Sequence, residues 1–149
     1  MFLHITGSVI FLGNIITAAF WKARADMSGN AEVIHRAAKN VMLADYVFTL
    51  PGLFLLIISG VVMAAKGGYA LGGMSWLTAS LLLFAATGLL WLGVLIPLQK
   101  AMIRHSRQSI ESGIISDAYK KASKYWAIFG TAASLLPLVI LYFMISKPF

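Results

Sequence analysis

The chain contains no cysteine. Disulfides, thiolate metal sites and redox dithiols are excluded with it. Charge is also scarce: 11% of the 149 residues are charged, against about 25% in a soluble domain. Hydrophobic residues make up 60% and mean hydropathy is +0.85, which excludes the ordinary globular class. No paired carboxylates, phosphate loop, metal-binding His pair or nucleophile triad occurs. The length allows one domain, residues 1–149, and no separate soluble catalytic module. The net charge of +7 would suggest nucleic acid in a soluble protein. Here the cations flank apolar runs, so an anionic lipid surface is the simpler partner.

The apolar runs predict an all-α, four-transmembrane-helix bundle with spans at about residues 2–21, 46–65, 76–98 and 125–146. Trp76 to Leu98 has no ionisable side chain and no polar face, so it suits lipid rather than water. Within it Ala79, Ala86 and Gly93 recur every seventh residue, with Ser80 and Thr87 beside them and Trp91 below. This seam is expected to receive a neighbouring helix. The first span divides into two stripes: His4, Gly7, Ser8, Phe11, Asn14, Ala18 and Trp21 toward protein, and Phe2, Ile5, Val9, Leu12 and Ile16 toward lipid. It carries no preceding positive charge, and Lys22 and Arg24 follow it, the reverse of a signal peptide. Thr49, Gly52, Ser59 and Gly60 mark the packing side of the second span; Gly130, Ser134 and Pro137 mark that of the fourth.

Two basic connections join the spans. In residues 22–44, Asn30 can cap an amphipathic helix that leads into the second span. In residues 99–124 the third helix runs on until Gly113, and Ser116 can cap the restart. Lys22, Arg24, Arg36 and Lys39 lie in the first connection; Lys100, Arg104, Arg107, Lys120, Lys121 and Lys124 lie in the second. The positive-inside rule therefore puts both connections in the cytoplasm and both termini outside.

Few residues carry chemistry. His4, on the protein-facing stripe, can hydrogen-bond Ser8 or lipid headgroups, or ligate haem iron as the metal ligand of a haem b site. Met63 and Met144 end their spans on the same side, which makes a His/Met pair conceivable. Trp91 can fill the interface or stack on a flat ligand. Asn14 needs a partner such as Ser59, Thr87 or a carbonyl, and this polar contact acts as glue between helices. Asp45, at a span entrance, can cap the second helix or pair with Lys100 or Arg104. His35 and His105 are read as solvated. The mid-span absence of Asp, Glu, Lys and Arg weighs against pumps and ion-coupled transporters.

GlyAsn at 13–14, Trp21, AspTyrValPheThr at 45–49, GlyLeuLeuTrpLeuGlyValLeuIleProLeuGln at 88–99 and the closing LeuProLeuValIleLeuTyrPheMetIleSerLysPro resemble a bacterial four-helix family of predicted integral membrane proteins, domain of unknown function 2269. The resemblance implies a multi-pass protein of the bacterial inner (plasma) membrane. LeuHis at 3–4, TrpLeu at 76–77 and the terminal LysProPhe are more distantly similar to the small membrane protoporphyrinogen IX oxidases and copper-resistance D proteins. That likeness implies a haem-associated histidine at His4. The oxidases carry a lysine where Ala79 and Ser80 stand here, and tandem histidines that this chain lacks.

Three readings of function follow. The first is an accessory or structural inner-membrane bundle without its own catalytic chemistry, able to form a homo-oligomer. Its cytoplasmic face meets anionic headgroups or a partner, and not nucleic acid. The second is a haem- or porphyrin-binding redox protein using His4, with Met63 and Trp91 at the cofactor. The third is a small oligomeric transporter.

Overall fold

In the computed structural model, which describes residues 1–69 and 71–149, the described chain is helical without strands. Four continuous rods, Phe2–Met27, Ala31–Lys66, Trp76–Ser112 and Asp117–Ser146, are each long and apolar enough to cross a membrane. The first is α1 (Phe2–Met27). The second joins α2 (Ala31–Ala44) to α3 (Leu50–Lys66) through a widened π-helical turn, Asp45–Thr49. The third joins α4 (Trp76–Leu90) to α5 (Ile96–Ser112) through a second such turn, Trp91–Leu95. The fourth is α6 (Asp117–Ser146).

Local chemistry sets the ends. The Asn30 side chain accepts from the amides of Glu32 and Val33, and Ser116 accepts from that of Tyr119, each satisfying donors the helix itself cannot. Gly113 closes α5 at φ 74°, a left-handed conformation that glycine adopts without steric cost. The two widened turns share a cause. Pro51 and Pro97 each lie six residues after the first residue of a turn. A proline ring clashes with the carbonyl four residues back, and a looser turn relieves the crowding. In each turn the residue before the proline donates to the carbonyl five back: Leu50 to Asp45, and Ile96 to Trp91.

The tightest apolar core lies at the basic end, where Ile34, Ala38, Met102, Tyr119 and Ala122 come together from α2, α5 and α6. Water drives that burial. Along the spans lipid is as apolar as leucine, and large side chains such as Val9, Phe54, Leu89 and Ile145 stay on the outside. The opposite end gathers both termini. Here His4 meets Ser59, and the amide of Trp76 donates to the Phe149 carbonyl at 3.1 Å.

Helix α1 crosses α3 at a glycine pair. A Cβ on Gly7 would sit 3.1 Å from the Gly52 carbonyl oxygen, and one on Gly52 would sit 3.1 Å from the Phe11 amide nitrogen. The first-span stripe faces inward as expected, with one exception. Trp21 is exposed and Lys22 takes the inner place.

The third-rod seam is a correction. Ala86 and Gly93 are exposed, Ala79 is half-buried, and nothing lies within 4 Å of a Cβ built on Gly93. Ser80 and Thr87, one position on, face inward with Leu77 and Leu95. Alanine and glycine gain little by leaving lipid. Ser80 and Thr87 return their hydroxyls to carbonyls of their own helix, while the Trp91 indole and the Gln99 amide find their acceptor, Asp45, on the neighbouring rod and set the rotation.

Candidate functional site

The four rods enclose a chamber of about 470 Å³. Its walls are mostly apolar, with Phe11, Val41, Leu53, Phe84, Leu95 and Ala133 among them. Two polar groups of residues break into those walls.

Asp45 organises the first. It opens the first widened turn and is 7% exposed. Its Oδ1 accepts from Asn14 Nδ2 at 3.1 Å and from the Thr49 hydroxyl at 2.9 Å. Its Oδ2 accepts from Gln99 Nε2 at 2.7 Å and from Trp91 Nε1 at 3.3 Å. Asn14 also donates to Thr49 at 2.9 Å. A carboxylate offers about four lone-pair positions, so these neutral donors saturate it. The expected partners Lys100 and Arg104 are not among them. Both stay exposed at the basic end, while Asp45 turns into the bundle. Asn14 likewise bonds Asp45 and Thr49 instead of Ser59 or Thr87. Thr87 lines the same chamber and donates its hydroxyl to its own helix, to the Leu83 carbonyl at 2.8 Å.

The second group closes the basic end. Lys22, 2% exposed, pairs with Asp26 and donates to Ser123. Tyr119 and Ser123 both donate to Asp26, which stitches α1 to α6. The Lys22 ammonium lies 5.5 Å from the Tyr119 ring centre and 5.2 Å from that of Trp126. Burial, reinforced by the hydrogen bond to Asp26, pushes the Tyr119 phenol well above its ordinary range. Lys22, counted on sequence among the cations of the first connection, is buried and paired.

His4 and Met63 lie apart from this chamber's lining, although Trp91 belongs to it. His4 Nδ1 meets the Ser59 hydroxyl at 3.0 Å, and the ring packs on Gly60. Ser59 thus serves His4 and its own helix, donating to the Leu55 carbonyl. Ser8 bonds only the carbonyl of His4. Met63 is 37% exposed on the outer surface of α3. Among the described residues no three His, Cys, Asp or Glu side chains converge on a common point. His35 Nδ1 reaches the buried Ser106 hydroxyl at 2.8 Å, so this ring belongs to the α2–α5 packing and is not simply solvated.

Outside the bundle, α2 and α5 form a basic cleft of about 320 Å³ lined by His35, Lys39, Lys100, Ile103, Arg104 and Arg107. Among the described residues the ion pairs are Lys22–Asp26 and Arg36–Glu32, so the four cleft cations face one another without an acid.

Gln99 entered the sequence reading only as the end of the 88–99 stretch, without a role, and the two widened turns were not expected. A legible signal exists: Asp45 and Trp91 both stand six residues before a proline on consecutive spans. No curated protein and no solved structure matches the chain. Residues 1–148 match the family described as predicted integral membrane protein, DUF2269, and the chain belongs to that family.

Proposed function

We propose that this integral membrane protein is an accessory bundle of the bacterial inner membrane, without catalytic chemistry of its own. Its basic end faces the cytoplasm and holds anionic lipid headgroups. The observation that carries this reading is the α2–α5 cleft, where Lys39, Lys100, Arg104 and Arg107 converge with no acid among them. An anion seated among them would relieve their mutual repulsion. The apolar wall at Ile103, on extensions of two spans, suits the level where headgroups meet acyl chains.

The test is binding of phosphatidylglycerol against phosphatidylcholine to the detergent-purified protein, read by native mass spectrometry. Each cation near an anionic surface contributes about 1 kcal/mol. The triple change Lys100→Gln, Arg104→Gln, Arg107→Gln is thus expected to weaken phosphatidylglycerol on the order of a hundredfold. Equal retention of both lipids by the unaltered protein would overturn the proposal.

A second reading, haem at His4, draws support from the Ser59 contact: Ser59 holds Nδ1 and leaves Nε2 for a metal. A Soret band that vanishes in His4→Ala supports it. A colourless preparation from haem-replete cells counts it out.

A further inference from the structure

Among the described residues two charged side chains are buried, Lys22 and Asp45. Lys22 pairs with Asp26; the other ion pair is Arg36–Glu32, so no cation meets the Asp45 carboxylate. Asp45 nevertheless belongs to a rod that crosses the membrane. The charged residues lining the chamber are Lys22, Asp26 and Asp45. The first two neutralise each other, which leaves the chamber one net negative charge. Neutral hydrogen bonds do not cancel that charge, and an ionisable group within a span marks a ligand pathway.

The way the carboxylate is held narrows the kind of cation. Asn14, Thr49, Trp91 and Gln99 fill its four lone-pair positions. A metal ion binds through such lone pairs and would have to displace these donors. A primary ammonium, which bonds through N–H, finds no free acceptor on the carboxylate either. A bulky organic cation without N–H groups needs only the field of the charge, which acts across several ångströms in a water-poor interior. It also gains from aromatic rings. Phe11, Phe84 and Trp91 line the chamber, and the Trp91 indole nitrogen lies 3.3 Å from Asp45 Oδ2. Lys22, with the Tyr119 and Trp126 rings around it, occupies the basic end. The place for an incoming positive charge is therefore beside Asp45.

The chamber opens toward lipid. Ile16, Ala19 and Ala23 on α1, and Ala127, Thr131 and Leu135 on α6, both line it and are exposed. These six belong to membrane-crossing rods, so the gap between them opens sideways at the level of acyl chains. We propose that the chamber binds a lipophilic organic cation of the quaternary ammonium type, which enters from the bilayer between α1 and α6 and sets its charge beside Asp45 and Trp91. A volume of about 470 Å³ lies within the roughly 300–1,000 Å³ typical of small-molecule sites. The site is separate from the basic cleft and from His4, and it stands whether or not lipid or haem binds there.

The probe is (1-pyrenylmethyl)trimethylammonium. It is compared with 1-neopentylpyrene, the neutral isostere with carbon in place of nitrogen, and with 1-pyreneacetate, an anion. Each is titrated into the protein in phosphatidylcholine nanodiscs, with bilayer concentrations set from partitioning into empty nanodiscs. The readout is energy transfer from tryptophan to pyrene. The cation is expected to bind saturably and about tenfold tighter than the isostere, with the anion weaker than both. Asp45→Asn removes the charge and keeps the size of the side chain. It should bring the cation to within about threefold of the isostere and leave the isostere unchanged. Ala127→Phe, which narrows the opening, should abolish saturable binding of both. Equal affinity for cation and isostere in the unaltered protein overturns the proposal; that is the result if a proton already neutralises Asp45. Transfer that does not saturate, or tighter binding of the anion, overturns it too. So does a full cation preference in Asp45→Asn, or full binding in Ala127→Phe. The probe comparison on the unaltered protein decides the matter even if a variant fails to fold.

Discussion

Asp45 accepts from donors on three rods, and the Trp91 and Gln99 donors lose their partner if the carboxylate is removed. Asp45→Ala therefore strands Trp91 and Gln99 in a water-poor interior and leaves Asn14 only its bond to Thr49. The expected cost is about 2 kcal/mol or more, seen as a lower melting temperature in detergent. Asp45→Asn keeps an acceptor at one position and should lose less. Tyr119 shows the same logic outside the spans. Its phenol is protonated and donates to Asp26, and its ionisation is pushed upward by burial first. Stability from this group is fully present below the unfolded phenol's pKa of about 10 and falls as pH rises beyond it. Tyr119→Phe should lower stability by about 1 kcal/mol at neutral pH and remove that component of the alkaline loss. The sequence made Asn14, Asp45, Thr87 and Trp91 visible as polar or aromatic residues in apolar runs. Their pairing was not visible. Asn14 and Gln99 are 85 positions apart, and only the packing brings both to one carboxylate.

At the scale of elements, two features set how the rods meet. One is the Gly7–Gly52 crossing, where a side chain on either residue would press into the backbone of the other helix. Gly52→Leu is expected to destabilise the bundle by about 1–3 kcal/mol, measurable by thermal unfolding in detergent. Gly130→Ala is a control that should change little, since its nearest neighbour lies at 3.9 Å. The other feature is the pair of widened turns before Pro51 and Pro97, which shift the phase of each rod and carry Asp45 and Trp91 to the same place. Helix ends were readable because caps are local: Asn30, Gly113 and Ser116 act within a few residues of themselves. The rotation of the third rod was not, because a repeat of small residues says that a helix can approach there, and not that one does.

At the scale of the whole molecule, the termini share one end and the cations concentrate at the other. On the orientation proposed above, an alkaline phosphatase fused to the C-terminus is expected to be active and a cytoplasmic fluorescent reporter dark. The reverse pattern would require the basic cleft to face outward. The number of crossings, the helical class and the two basic connections were determined by the sequence alone. Each follows from the transfer free energy of a continuous run of some twenty residues, a sum to which residue order within the run hardly matters. Which faces meet is a different quantity. In lipid no hydrophobic force selects them, so the choice falls to a few polar contacts and one close glycine crossing between residues far apart in the chain. Only the tertiary structure decided that Asp45 turns inward, that the Ala86–Gly93 line turns outward, and that Gln99 and Trp126 border a shared chamber.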